Sequence, residues 1–145
     1  MRIAVISDTH DRLPENVVAG ISHADEIWHL GDICEAAILA RVKLVGPTVR
    51  WVRGNCDGCS EWPLILDLEL EGTRLHLEHI PSRTAPKGCD IFVHGHTHVP
   101  RDEIVGGVRF LNPGCITRPN RGAPASWAWL TLEAGQPVGW RLVPV

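Results

Sequence analysis

The sequence predicts an α/β fold in which a mixed β-sheet, or two packed β-sheets, is flanked by helices. Its 145 residues fall within the usual range for one domain and are enough to bury a hydrophobic core. The first third alternates strand-like and helix-like segments, whereas the remainder is dominated by pairs of strand-like segments around turns. Parallel strand–helix–strand units followed by hairpins are typical of such folds. We therefore expect residues 1–145 to form one domain.

The first third is predicted to hold three buried strands separated by two helices. Short apolar runs suited to a parallel sheet cover residues 2–7, 26–30 and 48–53. The first helix is predicted to begin at Pro14, because proline is favoured in the first turn of a helix. The second helix is predicted over residues 36–44, where apolar residues recur at helical spacing until Gly46-Pro47 ends the pattern.

The rest of the chain is predicted to form three hairpins and one further buried strand. In each hairpin, two strand-like runs flank a turn sequence such as Glu71-Gly72 or Gly106-Gly107. The paired runs cover residues 64–70 and 73–79, 103–105 and 108–111, and 126–132 and 138–143, and the buried strand covers 90–94. Trp127 and Trp129 lie two apart on one predicted strand and so share a face. This favours core packing over a platform for stacking bases.

Composition excludes several classes of protein. Hydrophobic residues make up 44% of the chain and charged residues 21%, as in ordinary globular proteins, and no apolar run approaches the length of a membrane span. The net charge of −3 provides no basic surface for non-specific nucleic-acid binding. The N-terminal apolar stretch is interrupted at once by acidic and histidine residues, unlike a signal peptide. We expect a cytoplasmic protein with no membrane partner and no stable nucleic-acid binding.

The cysteines also favour a reducing compartment. Their number is odd, and they are scattered at Cys34, Cys56, Cys59, Cys89 and Cys115, so reduced thiols are expected. Cys56 and Cys59 form a CxxC pair, but no second cysteine or histidine pair follows at the spacing of a zinc finger. Loop cysteines without a metal role are the preferred interpretation, with a structural zinc site as the alternative.

Side chains able to bind metals follow the predicted strands, at the ends where open α/β sheets bind ligands. They come from five segments and comprise two carboxylates, one carboxamide and four imidazoles. These residues are Asp8, His10, Asp32, Asn55, His79, His96 and His98. A mixed set of oxygen and nitrogen ligands suits divalent ions such as Mn²⁺, Fe²⁺, Ni²⁺ or Zn²⁺. The set is large enough for two ions if one carboxylate bridges them.

Each of these motifs also has a simpler explanation when it is taken alone. An aspartate after a strand is most often a turn residue or a helix cap, and Gly-Asn is a common turn. A single HxH pair often lies at the protein surface without any functional role. Five such motifs, all after strand-like runs and all able to bind metal, are jointly improbable as accidents. The combination therefore favours a metal site.

The sequence resembles the calcineurin-like metallophosphoesterase superfamily. The motifs that carry the likeness are Asp8-Thr9-His10, Gly31-Asp32, Gly54-Asn55-Cys56-Asp57 and Gly95-His96-Thr97-His98. The sequences GNCD and GHTHVP, together with Asn112-Pro113-Gly114, resemble motifs of the small bacterial and archaeal phosphodiesterases of this superfamily. The resemblance implies a four-layer αββα sandwich, with two mixed sheets flanked by helices and a dimetal site at the strand ends.

The resemblance also implies two groups of ligands. By position, metal one would be held by Asp8, His10, Asp32 and His98, and metal two by Asp32, Asn55, His79 and His96, with Asp32 as the bridge. Mn²⁺ is the expected ion, with Ni²⁺, Fe²⁺ and Zn²⁺ as alternatives, and a hydroxide bridging the two ions would be the nucleophile. Two cations ~3.5–4 Å apart lower the pKa of bound water and clamp the oxygens of an in-line phosphoryl displacement.

The sequence departs from these relatives in four places. Ile80 follows His79 where relatives have glycine, and Cys115 replaces a serine that often follows Asn-Pro-Gly. Cys56 stands where many phosphatases of the superfamily have a histidine that protonates the leaving group. The segment 80–89 is short and contains two prolines. A helix common there in relatives is expected to be lost, which would open the site.

The other histidines have different expected roles. His23 and His76 are predicted to lie at the surface, and His29 is predicted to hydrogen-bond within the site behind the ligands. His94, next to the HxH motif, either packs behind the site or contacts the substrate or its leaving group.

Together these residues predict hydrolysis of a small phosphate ester, preferably a diester with a good leaving group. Two alternatives stay open: a phosphomonoesterase acting on small metabolites, and a non-catalytic binding scaffold of the same fold, as in the retromer subunit of the superfamily. The expected cofactor is two divalent metal ions per chain. A homo-oligomer is compatible with the sequence.

Overall fold

A computed structural model describes residues 1–46 and 48–145. The predicted element order is confirmed throughout the described residues. The strands are β1 (Arg2–Ile6), β2 (Glu26–His29), β3 (Val49–Trp51), β4 (Ile65–Leu70), β5 (Thr73–Glu78), β6 (Ile91–His94), β7 (Arg101–Val105), β8 (Val108–Asn112), β9 (Ser126–Thr131) and β10 (Gly139–Pro144). The helices are α1 (Glu15–Ile21) and α2 (Ala36–Val45). Gly46 caps α2 by donating its N–H to the Val42 carbonyl, and Pro47, the other half of the predicted stop, lies outside the described residues.

The strands form two mixed five-stranded sheets. The first has the order β10-β9-β1-β2-β3, with β1, β2 and β3 parallel and β9 and β10 antiparallel. The second has the order β4-β5-β6-β8-β7, with β5, β6 and β8 parallel and an antiparallel strand at each edge. One edge of the first sheet is the parallel strand β3. The other three edges, β10, β4 and β7, are hairpin strands that pair antiparallel to their neighbours.

Two hydrophobic clusters hold these layers together. Between the sheets, side chains from alternate positions of both sheets interlock; they include Ile3, Val5, Leu77, Val93 and Leu111. On the other face of the first sheet, α1 and α2 pack their apolar sides against the strands. Trp127 and Trp129 belong to this second cluster and are buried, as predicted. The predicted pair of mixed sheets with flanking helices is confirmed.

The far face of the second sheet is covered by an irregular segment. Within the described residues, the chain between β5 and β6 contains no helix, so the fourth layer of the implied sandwich is reduced to a loop, as the short segment 80–89 predicted. Phe92 and His76 on this face are both buried, and residues 86–89 of the loop line one cleft together with His76. The prediction that His76 lies at the surface is therefore wrong, because its ring packs against Phe92 with the centroids 4.8 Å apart and its Nδ1 atom lies 2.7 Å from Asp67 Oδ1. His23 is exposed as predicted.

This topology brings the carboxyl ends of six parallel strands to one edge of the sandwich. The loops after β1, β2 and β3 come from the first sheet, and those after β5, β6 and β8 come from the second. All the predicted ligands lie in five of these loops.

In the described part of the chain, no helix has both the length and the apolar character needed to cross a membrane.

Candidate metal centre

One group of predicted ligands converges where the Asp8-Thr9-His10 and His96-Thr97-His98 motifs meet. The donor atoms of Asp8, His10, Asp32 and His98 all lie within 4.8 Å of one another. The Nε2 atom of His98 lies 3.1 Å from Asp8 Oδ1, and the Nε2 atoms of His10 and His98 lie 3.3 Å apart. This is the set that the resemblance assigns to metal one.

The remaining predicted ligands converge on the amide oxygen of Asn55. Asn55 Oδ1 lies 3.1 Å from His79 Nε2 and 2.9 Å from His96 Nδ1. His79 Nε2 also lies 3.3 Å from Asp32 Oδ1. The structure thus brings together all the side chains predicted for metal two, with Asn55 and His96 on the exposed side and His79 buried.

The carboxylate of Asp32 is divided between the two groups. Its Oδ2 atom faces His10 Nε2 at 3.8 Å, whereas its Oδ1 atom faces His79 Nε2 at 3.3 Å. The Cys56 backbone N–H donates to the same Oδ1 atom at 2.8 Å, which fixes the plane of the carboxylate. One aspartate therefore offers a separate oxygen atom to each group, as a bridging ligand must.

Backbone carbonyls determine which ring nitrogen of two histidines is available. His98 Nδ1–H donates to the Arg118 carbonyl at 2.6 Å, and His79 Nδ1–H donates to the Leu30 carbonyl at 2.7 Å. In a neutral ring the hydrogen is then on Nδ1, so each Nε2 atom turns a lone pair towards the oxygen atoms of the site. Such outer hydrogen bonds are the usual way in which proteins orient metal-binding histidines.

Lone pairs facing carboxylate and amide oxygens repel one another unless a cation lies between them. Asp8 Oδ1 is buried and has no hydrogen-bond donor among the described residues. Leaving a buried acceptor unpaired is unfavourable, and burial raises the pKa of this carboxyl, with a smaller opposing effect from the Ser7 hydroxyl. A bound cation would remove both penalties. The donor set therefore fits divalent ions.

The carboxylates of the site raise the pKa of His79, because they favour the positively charged imidazolium. Burial alone would lower the pKa of this imidazole, but the hydrogen bond with Asp32 and the charge of Asp8 outweigh that effect and raise it. The pKa of Asp32 is lowered because the hydrogen bonds from His79 and Cys56 outweigh burial. A proton and a metal ion would thus compete for the Nε2 atom of His79 beside the same carboxylates.

The backbone at the site is held in an uncommon conformation. The residues Asp8, His10, Asp32, His96 and His98 all have φ between 41° and 67°, in the left-handed region that side chains other than glycine rarely adopt. Aspartate and histidine tolerate this region better than most residues, although each such position costs of order 1–3 kcal/mol. Most of the predicted ligands are therefore presented by strained turns.

Two glycines permit the close approach of these turns. A Cβ atom at Gly54 would lie 2.2 Å from the backbone nitrogen and Oδ1 of Asp32, and one at Gly95 would lie 2.1 Å from Ser7 Oγ. Any side chain at these positions would displace the loops that carry the predicted ligands.

Two further histidines lie behind the site. His29 is fully buried, accepts the Gly31 N–H at Nδ1 and donates from Nε2 to the Thr9 hydroxyl at 3.0 Å, as predicted for a supporting residue. Burial lowers the pKa of His29 to about 3, so the ring is neutral. His94 is also buried, and its Nε2 atom lies 3.4 Å from the Arg101 guanidinium at the edge of a cleft beside His96. It is not among the converging donors.

The cysteines are all free, as predicted. The donor atoms of Cys56, Cys34 and His10 lie within 4.8 Å of one another, and Cys59 is not part of that group. Cys115 is buried; its thiol donates to the Asp8 carbonyl at 3.2 Å and accepts the Arg118 N–H at 3.1 Å. The Cys115 thiol thus makes the two hydrogen bonds that a serine hydroxyl could make at the same position.

Sequence reasoning missed two residues that support the site. Ser7 donates its hydroxyl hydrogen to Asp8 Oδ2 at 2.5 Å. The buried Asn112 side chain donates to the Gly95 carbonyl at 2.8 Å and accepts the Gly114 N–H at 2.8 Å, which ties the loops after β6 and β8 together. The Asn-Pro-Gly motif was a signal for Asn112, whereas the only signal for Ser7 was its place directly before Asp8.

The position of His79 leads to a test of its predicted role. In His79→Ala, we expect metal two to bind ~10–100-fold more weakly, or to be lost, because the variant lacks a buried nitrogen donor. Metal one should stay in place, since its other predicted donors are unchanged. Elemental analysis of the gel-filtered protein measures both ions. The exposed His23→Ala variant is the matched control, and unchanged metal content in His79→Ala would show that another side chain completes the site.

The chain is similar in sequence to known proteins. Residues 1–135 match the model of the calcineurin-like phosphoesterase superfamily domain. Phosphodiesterase YfcE of Escherichia coli (strain K12) is 30% identical to the chain, over an alignment that covers 90% of this chain and 87% of that protein. The probable metallophosphoesterase YsnB of Bacillus subtilis (strain 168) is 28% identical, with 92% and 85% covered.

Solved structures show the same fold. The structure of YfcE from E. coli superposes with a TM-score of 0.79 at 27% identity and covers 100% of both chains. Wild-type Vps29 from Entamoeba histolytica, in complex with Zn²⁺, gives a TM-score of 0.79 at 20% identity over 99% of both chains. The second likeness concerns the fold alone. Both agree with the two-sheet architecture described above.

Proposed function

The chain belongs to the calcineurin-like phosphoesterase superfamily, and on that premise we propose that it is a metal-dependent phosphodiesterase acting on a small phosphate ester. Residues 1–145 act as one domain in this proposal. The name of the relative YfcE supports a diester as the substrate. The net charge of −3 supports a small molecule over a nucleic acid, and the free thiols support a reducing, cytoplasmic location.

The divided carboxylate of Asp32 is the observation that carries this proposal. It supports two ions per chain, with Asp8, His10, Asp32 and His98 around the first and Asp32, Asn55, His79 and His96 around the second. We propose Mn²⁺ as the ion, with Ni²⁺, Fe²⁺ or Zn²⁺ as alternatives, because oxygen and imidazole donors suit all four.

The proposed chemistry is an in-line attack on phosphorus. When bound, the two cations would lower the pKa of the attacking water and would neutralise charge on the phosphoryl oxygens. The chain contributes orientation: the Leu30 and Arg118 carbonyls hold the rings of His79 and His98, and the Cys56 N–H holds Asp32. Asn55 and His96 lie on the exposed side, so the substrate approaches across them.

Cys56 occupies the position at which many phosphatases of the superfamily have a histidine that protonates the leaving group. Its Sγ atom accepts a hydrogen bond from the Asn55 amide at 3.5 Å, and a thiol is in any case a weak donor. A departing oxygen would therefore receive little help from this residue, which supports substrates with good leaving groups. A phosphomonoesterase acting on small metabolites and a non-catalytic scaffold are the alternatives.

A panel of metals and substrates tests the proposal directly. Protein stripped of metal is loaded separately with Mn²⁺, Ni²⁺, Fe²⁺ or Zn²⁺ and assayed with bis(p-nitrophenyl) phosphate and with p-nitrophenyl phosphate. We expect no activity without metal, restoration by Mn²⁺, and a higher kcat/KM for the diester. Preference for the monoester would favour the phosphomonoesterase. Failure of every metal to restore hydrolysis of either ester, in protein shown to bind the ion, would favour the scaffold.

A further inference from the structure

Two clefts open beside the exposed ligands of the candidate centre. One, of about 470 Å³, is lined by Asn55 and His79 and extends towards the β4 edge of the second sheet. The other, of about 610 Å³, is lined by His96 and extends towards the β7 edge. A phosphodiester bound at the centre carries two ester arms, and the molecule offers a cleft in each direction.

The wall of the smaller cleft is aliphatic. Leu64 and Ile65, at the start of β4, are 56% and 47% exposed, and Ile80, directly after the predicted ligand His79, is 52% exposed. Single exposed aliphatic residues are ordinary on protein surfaces, but several that line one cleft beside a polar centre indicate a binding surface. The short segment 80–89 crosses the sheet without a helix, and Ile80 stays accessible at the mouth of the cleft.

Several polar side chains along this cleft already form hydrogen bonds within the protein. Asp57 accepts the Cys34 N–H at 2.6 Å and the Gly54 N–H at 2.7 Å, and Arg53 donates to the Ser60 carbonyl at 3.1 Å. Glu78 accepts the Ser82 N–H. Within the described residues, the unpaired surface that this cleft offers to a ligand is therefore mainly the aliphatic wall.

The larger cleft carries more charged groups. Its lining includes Arg101, Arg121, Asn120, Glu103 and the edge of His94, beside the apolar Pro81, Val99 and Pro100. Arg101 donates to Glu103 at 2.7 Å, yet retains its contact with His94 at 3.4 Å. A polar or charged arm suits this mixed surface better than an apolar arm does, because an apolar arm would take its charged groups out of water.

We infer that the substrate of this chain is an unsymmetrical diester, with an apolar alkyl or aryl arm that lies against Leu64, Ile65 and Ile80. The polar arm would lie on the side of Arg101 and Arg121. This inference rests on the proposed function, because the phosphate must bind at the candidate centre for an arm to reach the aliphatic wall. It specifies the class of substrate that the metal ligands alone leave open.

A series of n-alkylphosphonates from methyl to hexyl tests the inference. Their carbon–phosphorus bond is not hydrolysed, so calorimetry on Mn²⁺-loaded protein measures binding without turnover. We expect the Kd to fall about two- to fourfold per added methylene, because each one leaves water for the aliphatic wall. In Leu64→Ser/Ile80→Ser this dependence should flatten, while the Kd of methylphosphonate should stay close to that of the unsubstituted protein.

The matched control is Ile104→Ser, which changes an equally aliphatic, exposed residue on β7 outside the clefts. It should keep the full dependence on chain length. The single variant Ile80→Ser, expected to flatten the series in part, serves if the double variant unfolds. A Kd independent of chain length in the unsubstituted protein, or an unchanged dependence in the cleft variants, would overturn the inference. Failure of the proposed function itself would be recognised by a different result, the absence of bis(p-nitrophenyl) phosphate hydrolysis.

Discussion

Replacing Asp32 with alanine should remove both metal ions from the chain at once. The Oδ1 and Oδ2 atoms of this buried carboxylate face different groups of donors, at 3.3 Å from His79 and 3.8 Å from His10. Without them, each group loses its shared anionic ligand. Because even supporting residues around metals are worth ~10–100-fold, we expect diester hydrolysis to fall by more than ~100-fold. Elemental analysis and initial rates measure the two effects.

Two further variants make the Asp32 result specific. Asp25→Ala removes an exposed aspartate whose side chain accepts the Arg2 N–H at 2.6 Å, and it should keep both ions and full activity. Asp32→Asn keeps the size of the side chain but has one oxygen, so it should also fail to hold both ions, and it guards against unfolding of the alanine variant. One ion retained at full occupancy in Asp32→Ala would reject the bridging role.

Hydrolysis should slow steeply as the pKa of the leaving alcohol rises. A histidine that protonates a leaving group typically contributes ~10²–10⁴-fold, and this chain has Cys56 at the corresponding position. The Cys56 backbone is occupied by its bond to Asp32, and its thiol is a weak donor. The departing oxygen must then leave largely as an anion. Rates for a series of aryl diesters with graded leaving groups measure this dependence.

Substitutions at Cys56 separate this explanation from a general loss of rate. Cys56→Ala should barely change hydrolysis of a diester with a good leaving group. Cys56→His should flatten the dependence and raise the rate for poor leaving groups, if the imidazole reaches the departing oxygen. A shallow dependence in the unsubstituted protein would contradict the account and point to a proton donor already present. His94, at the edge of the cleft beside His96, would then be tested by His94→Ala, which should steepen the dependence.

The sequence was sufficient to predict the strands and the residues at their ends. Apolar runs such as 2–7 and 90–94 are short, buried and bounded by polar residues, so their periodicity and limits are local properties. The seven predicted ligands follow these runs directly, and a parallel arrangement necessarily brings such residues to one edge. The convergence of Asp8 with His98, ninety residues later, is therefore a consequence of strand direction that sequence reasoning can reach.

The sequence was insufficient where neighbours come from distant segments. His76 alternates with apolar residues on β5 and looks solvent-facing, but it is buried against Phe92 of β6, which only the tertiary structure reveals. The bonds of Cys115 and Asn112 to loops far away in the chain are likewise invisible in a linear pattern. The aliphatic cleft depends on Leu64 and Ile80 meeting across two loops.

The left-handed turns that present the predicted ligands have a consequence for protein engineering. A glycine at Asp8, Asp32 or His98 would relieve the unfavourable φ at that position, at the loss of the hydrogen bonds that the side chain makes. The same change would delete a predicted metal donor. Stability and activity therefore oppose each other at these sites, and stabilising substitutions should be sought on the helical face of the first sheet, where no predicted ligand lies.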